Sequence, residues 1–209
     1  MSEASWARTV VRRLRKEYPD ADCALRHEDP FQLAVATVLS AQCTDAMVNR
    51  VTPALFARYP TPEALAAADP GDVERIVHST GFYRNKTRNL LGLARTLVER
   101  FRGNVPRTMA ELLELPGVAR KTANVVLGVA FGEAEGVVVD THVQRLSRRL
   151  GLTRHDDPVK TERDLMRLLP RKDWIFAGHA LIRHGRRVCA ARKPACDRCV
   201  LHDRCPSRV

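Results

Sequence analysis

Four of the chain's six cysteines, Cys189, Cys196, Cys199 and Cys205, crowd the last 21 residues with the spacing Cys-x6-Cys-x2-Cys-x5-Cys. Thiolates this close in sequence can wrap one metal centre without help from the rest of the chain. Two centres suit them. A structural zinc site usually draws on two Cys-x2-Cys-type pairs, and only one such pair occurs here. A [4Fe–4S] cube needs ligands spread more widely, so the uneven outer spacing favours iron–sulfur over zinc. His202, inside the loop, is a competing ligand. Four free thiols in one loop would oxidise, which argues against an unliganded reading.

A second group lies in the middle of the chain. The string LELPGVARKTANVVLGVAF reads as helix, tight turn, helix, with Pro116 and Gly117 breaking the first helix and the second starting at once. Such a break leaves backbone N–H groups pointing outward at a helix N-terminus, which favours a phosphate. Arg120 and Lys121 stand where they would add charge. A Pro-Gly turn is also an ordinary helix connection, so alone it is weak evidence. Lys121 is one of only six lysines and falls in the first turn of an apolar helix. The partial positive charge of a helix N-terminus disfavours an ammonium there, the condition that an amine nucleophile needs. The plainer reading, a phosphate-binding or solvated lysine, is the better one on this observation alone. Asp140 follows Val137-Val138-Val139 and precedes Thr141-His142-Val143. It suits a helix N-cap, and capping and catalysis both require the carboxylate to be held in one place.

The elements that must position these groups read almost entirely as helices. Val10, Val11 and Leu14 mark a first helix, residues 31–41 a buried one, and residues 45–58 another, bent or stopped near Pro53. Thr61, Pro62 and Glu63 form a cap with proline at the first helical position. A short helix runs from Gly71 to His78 and ends near Gly81. Residues 84–101 form a long amphipathic helix with Leu90, Leu93, Leu97 and Phe101 inside and Arg84, Lys86, Arg88, Arg95 and Arg102 largely outside. Further helices are expected over 109–115, 121–131, 141–150, 160–168 and 174–184. The valine run 137–139 is the one strand-like piece, because three β-branched residues favour an extended segment. The loosest connections fall at 133–136 and 153–158. No repeat, low-complexity tract or long linker interrupts the chain.

Composition bounds the function. The 209 residues are 44% hydrophobic, too apolar for a disordered chain and enough for a sizeable core. Lys plus Arg number 35 against 24 Asp plus Glu, a net charge of +11, which points to a polyanion and most simply to nucleic acid. Solubility alone, or drift towards arginine, is the bland alternative. The charge is uneven: residues 183–209 hold eight basic and two acidic residues, so the positive density sits beside the cysteines. No apolar run reaches the roughly 18 residues a spanning helix needs, and the N-terminus has no signal-peptide core. An intracellular, reducing compartment is expected, where these cysteines are no disulfide framework.

The combination of LPGVARKTANVVL, VVDTHVQRLSRRLGL and the four-cysteine spacing closely resembles bacterial endonuclease III, a helix-hairpin-helix DNA glycosylase and abasic-site (AP) lyase family with an iron–sulfur cluster. SAQCTD at 40–45 and STGFYRNK at 79–86 resemble that family's DNA-probing segments. The resemblance spans nearly the whole chain. It implies an all-α fold of two helical lobes with a central cleft. One lobe, residues 22–133, would be a six-helix barrel containing the helix-hairpin-helix at about 109–131. The other, residues 1–21 and 134–209, would be discontinuous and carry the [4Fe–4S] cluster loop at 189–205.

It also implies roles. Lys121 would be the nucleophile and Asp140 the second catalytic group, acting on a base flipped out of double-stranded DNA. The implied activity is base-excision repair: removal of oxidised or saturated pyrimidines of the thymine-glycol type, then strand cleavage 3′ to the lesion by β-elimination. Gln42 would fill the gap left by the flipped base. Phe82 would be the intercalating wedge, where family members often carry leucine, so the bulkier ring is expected to change opposite-base tolerance. Gly117, Val118, Ala119 and Arg120 would bind phosphate, and His142 and Lys193 would be further DNA contacts. The family usually has a second glycine where Ala119 stands. If that position requires φ > 0, alanine costs about 1 kcal/mol and weakens phosphate binding. Cys43, beside Gln42, reads as packing. Cys189, Cys196, Cys199 and Cys205 would hold the [4Fe–4S] cluster, in a structural or a redox role. A cytoplasmic, nucleoid-associated monomer with no membrane association is expected. Two alternatives remain: an adenine-mismatch glycosylase, which generally lacks the hairpin lysine and carries an extra C-terminal domain, and a non-catalytic DNA-binding or redox module.

Overall fold

The computed structural model describes residues 2–208. Their regular structure is helical throughout: α1 (Glu3–Glu17), α2 (Pro30–Leu39), α3 (Asp45–Arg58), α4 (Pro62–Ala66), α5 (Pro70–Val77), α6 (Tyr83–Phe101), α7 (Met109–Leu112), α8 (Arg120–Phe131), α9 (Thr141–Arg149), α10 (Pro158–Leu168) and α11 (Trp174–Arg187). Single 3-10 turns punctuate them, two within the cysteine loop. The chain divides into two compact units, one of Met1–Asp22 with Ala134–Val209, the other of Cys23–Glu133.

Local chemistry explains where most helices start. A side-chain oxygen at the N-cap takes up a backbone N–H that the first turn cannot otherwise bond. Asp29 accepts from Gln32 N at 2.8 Å, Thr61 from Ala64 N at 3.2 Å, Asp69 from Asp72 N at 2.9 Å and Asp157 from Lys160 N at 2.8 Å. Each of these four caps precedes a proline, whose fixed φ suits the first helical position. The uncapped exceptions are α6, α8 and α11, which start after Phe82, Ala119 and Asp173.

In the unit of residues 23–133, α2 and α8 pack together. Phe31 to Leu39 and Thr122 to Gly128 are buried without a break. A helix that is apolar on all sides belongs in a core. In the other unit, Trp6, Val10, Val11 and Leu14 of α1 meet Val143 and Leu146 of α9, Leu165 of α10 and Ala177, Ala180 and Leu181 of α11. The Trp6 indole donates to Leu150 O at 2.7 Å, so its polar edge is satisfied inside this core. Leu201, from the cysteine loop, is fully buried in the same cluster, which anchors the loop to the helices.

Several expectations are corrected. Helix α3 has the expected bounds, Asp45–Arg58, and does not stop at Pro53; the ring is on the solvent side, where the carbonyl it leaves unbonded can be hydrated. Val137–Val139 is not a strand. The three valines are buried instead, and the Val138 backbone lies so close to Gly178 of α11 that a Cβ there would meet its carbonyl at 3.2 Å. Tertiary burial, not strand pairing, satisfies the β-branched run. Helix α7 stops at Leu112, and α11 continues past His184 to Arg187. Lys86, placed on the outer face of α6, is 3% exposed.

Candidate catalytic and DNA-binding site

Within the unit of residues 23–133, Lys121 is the second residue of α8 and its side chain is exposed. The turn before it needs a glycine at one place. Gly117 has φ +80, and a Cβ there would lie 2.9 Å from Asn89 Cβ and 3.1 Å from Val38 Cγ1. Both backbone conformation and space exclude a side chain. Ala119 is different: its φ of −98 and ψ of 171 are ordinary extended values. The strain considered for alanine at this position is therefore absent, because the left-handed residue of the turn is Gly117. Val118 is buried, and its N–H donates to Leu115 O at 3.0 Å, closing the turn. Ala119 supplies no capping oxygen, and Arg120 and Lys121 open α8 at the terminus whose backbone N–H groups and dipole favour an anion.

The two probing residues share an unusual backbone. Among the described residues, only Gln42, Phe82 and Arg102 are non-glycine residues with positive φ, at 51, 47 and 54. Two of the three are the residues singled out from the sequence as DNA probes. Phe82 is also 67% exposed, the most exposed of the large apolar side chains. Positive φ costs a β-carbon residue of order 1 kcal/mol and persists only where the surroundings enforce it, commonly at functional sites. Nothing in the sequence signals this geometry.

In the other unit, Asp140 is the N-cap of α9, and one carboxylate oxygen accepts from both His142 N and Val143 N at 2.8 Å. That fixes the carboxylate while leaving its second oxygen outside these bonds. Half-buried His142 contacts Arg145 at 3.2 Å, and the Arg145 guanidinium donates to Gly185 O at 2.9 Å and Cys189 O at 3.0 Å. A short chain of contacts thus links the Asp140 cap to the first cysteine.

Cys189, Cys196, Cys199 and Cys205 line one pocket, with Leu146, Leu150, Val188 and Pro194 among its walls. None of the four is in a disulfide. Among the described residues, no three His, Cys, Asp or Glu side chains stand close enough to hold a single metal ion. Arg149 donates to Cys189 Sγ at 3.3 Å, Ala190 O at 2.8 Å and Ala191 O at 2.7 Å. Buried His184 lies 3.3 Å from Cys199 Sγ through Nε2 and 3.1 Å from the Tyr18 hydroxyl through Nδ1. Burial lowers the His184 pKa to about 4, so its imidazole is neutral. Burial also pushes the Cys199 and Cys205 thiols up. From α1, Arg13 donates to Val200 O at 3.0 Å and pairs with Asp203. Lys193 sits exposed at the outer edge of this loop.

Sequence reasoning counted Arg145 and Arg149 only as charge and passed over Tyr18 and His184. The one available signal was the four-residue spacing of the two arginines on the helix that starts at Asp140, which puts both on one face.

Residues 35–171 match the model of the HhH-GPD superfamily of base excision DNA repair proteins. The chain is 57% identical over 206 residues to endonuclease III of Synechocystis sp., covering 99% of this chain and 94% of that protein. The chain belongs to the endonuclease III family. To the Bacillus subtilis member of the family it is 48% identical over 189 residues, covering 90% of this chain and 86% of the relative. A solved covalent intermediate of endonuclease III trapped on DNA superposes with a TM-score of 0.93 at 45% identity, covering 99% of this chain and 97% of that one. The superfamily match takes in Gln42, Phe82, Gly117, Lys121 and Asp140 but ends before Cys189, Cys196, Cys199 and Cys205. The Synechocystis relative, aligned over almost the full chain, extends the likeness to nearly all of the cysteine-bearing end.

Proposed function

We propose that this chain is a bifunctional DNA glycosylase and AP lyase of base-excision repair that binds duplex DNA as a monomer in the cytoplasm, at the nucleoid. The observation that carries the residue assignment is Lys121, exposed in the first turn of an uncapped helix immediately after a turn that only glycine can make. The helix terminus draws in a phosphate through its backbone N–H groups, which sets the lysine beside the adjoining sugar. Membership of the endonuclease III family makes oxidised or saturated pyrimidines, of the thymine-glycol type, the substrate class.

The Lys121 amine attacks C1′ of the extruded nucleotide, and the C1′–N bond to the damaged base breaks as the base leaves with a proton. The attached amine gives up one proton, and the C1′–O4′ bond then breaks as O4′ takes up a proton, leaving a protonated Schiff base at C1′. Loss of a C2′ proton then expels the 3′ phosphate, cutting the strand, and water releases the lysine. Asp140 stabilises positive charge developing on the sugar and takes up a proton from the lysine. Its fixed position as the cap of α9 keeps one oxygen bonded to the helix and the other for this work. Phe82 wedges into the stack and Gln42 fills the vacated place. Gly117, Ala119 and Arg120 hold the phosphate, Val118 closing the turn beneath them through its bond to Leu115 O, while His142 and Lys193 add contacts to the backbone.

Cys189, Cys196, Cys199 and Cys205 fit a [4Fe–4S] cluster better than a single ion. They surround a common pocket, and their uneven spacing, with only one Cys-x2-Cys pair, suits a cube better than a structural zinc site. Bound there, the cluster would supply a rigid, redox-capable centre that shapes the basic loop around Arg192, Lys193 and Arg198.

Borohydride reduction in the presence of duplex carrying an abasic site or an oxidised pyrimidine tests the lyase reading. A covalent protein–DNA adduct is expected. Lys121→Gln is expected to abolish trapping and cleavage while retaining DNA binding. Cleavage unchanged in Lys121→Gln would overturn the nucleophile assignment.

A further inference from the structure

Lys86 is a buried cation for which the reaction above has no use. Its side chain is 3% exposed on α6, where a methionine would fill similar space without removing a charge from water. What the ammonium gains is a hydrogen bond of 2.8 Å to Thr80 O. The Lys86 backbone N–H also donates to Phe82 O at 3.0 Å. One residue therefore grips both ends of the turn Thr80-Gly81-Phe82. Inside that turn Gly81 has φ 71 and Phe82 φ 47, and α6 has no side-chain cap of its own. Burial lowers the Lys86 pKa.

We propose that Lys86 is a positioning residue for base extrusion, holding the strained turn that presents Phe82 to the duplex. The inference rests on the wedge role assigned to Phe82 above. An apolar ring left in water on an unfavourable backbone would relax towards the protein surface once the Thr80 carbonyl was released. Lys86 acts through Phe82 and touches no reacting atom.

A double-mutant cycle tests this with Lys86→Met, Phe82→Ala and the double variant. Two readouts are needed: 2-aminopurine fluorescence beside the lesion, which reports unstacking, and single-turnover base release from duplex and from single-stranded DNA. Lys86→Met is expected to slow release from duplex on the order of ten- to a hundred-fold, the worth of one buried charged hydrogen bond. It should dim the fluorescence rise and leave single-stranded release unchanged, since no stack has to be opened there. In the Phe82→Ala background the Lys86 effect should vanish. Lys86→Gln, which keeps a donor for Thr80 O, should restore part of the duplex rate and replaces Lys86→Met in the cycle if the latter does not fold. Equal losses on both substrates, or additive effects with Phe82→Ala, would overturn the proposal. If Phe82→Ala itself extrudes bases as well as wild type, the wedge reading fails and the inference with it. Impaired Phe82→Ala beside unimpaired Lys86→Met overturns the part of Lys86 alone.

Discussion

Asp140 has two tasks, and substitution can separate them. As N-cap of α9 it accepts two backbone hydrogen bonds at 2.8 Å through one oxygen. Asparagine offers a carbonyl oxygen in the same place and caps helices about as well as aspartate. Asp140→Asn should therefore lose only the charge–dipole part, about 0.3–1 kcal/mol. Asp140→Ala loses the cap as well, which puts its cost at roughly 1–2 kcal/mol. For a chain of this length that is a fall in Tm of about 2–4 °C per kcal/mol. Catalysis should not follow this ranking. Both variants lack a carboxylate able to take a proton or face positive charge on the sugar, so both should lose on the order of 10²–10⁴-fold in single-turnover base release. The assay pairs a melting curve with base release from a duplex containing an oxidised pyrimidine, and with strand cleavage at a preformed abasic site. Asp140→Asn with a near-wild-type Tm and base release within about three-fold of wild type would reduce Asp140 to a cap. Activity that tracks Tm across the two variants would have the same meaning.

Other predictions follow from the same geometry. Gly117→Ala should cost upwards of about 1–2 kcal/mol and weaken DNA binding, since it meets both the φ penalty and the contact with Asn89; Ala119→Gly should leave Tm and binding nearly unchanged, and melting curves with salt-dependent binding isotherms check both. Buried Asp72 accepts from the Tyr59 hydroxyl at 2.7 Å and pairs with Arg58 and with Arg75, which together hold its pKa below the ordinary 3.8. A carboxylate depressed in the folded state stabilises above its unfolded pKa and loses that contribution as pH falls through the folded value. The Tm gap between wild type and Asp72→Asn should accordingly be full at neutral pH and close below about pH 4, and a gap independent of pH would refute this. Purified protein should carry iron and acid-labile sulfide in equal amounts with broad visible absorbance, and removing the iron should lower Tm; colourless protein holding one zinc would overturn the cluster.

The helices were legible because their signals are local. Thr61-Pro62 and Asp157-Pro158 announce helix starts through hydrogen bonds spanning three residues, and the apolar face of α1 repeats within four turns. The candidate nucleophile, the cap at Asp140 and the cysteine spacing were legible for a related reason: each is a residue type whose chemistry is tied to a short neighbourhood. The failures share a different cause. Propensity favours a strand at 137–139, yet Val138 packs against Gly178 of α11, forty residues further along the chain. Lysine is nearly always solvated, and only the fold supplies the Thr80 carbonyl that makes burial of Lys86 tolerable. Which residue of the hairpin turn goes left-handed is not written in its residue types: Gly117 takes the positive φ, and Ala119 stays extended. The backbones of Gln42 and Phe82 are the clearest case. Both residue types disfavour positive φ, so no propensity could have announced it, and the turns hold only because contacts elsewhere in their unit enforce them. Features that local preference opposes are where the rest of the fold must do the holding, and in this chain two of the three left-handed non-glycine residues among those described are the ones that would have to enter the DNA.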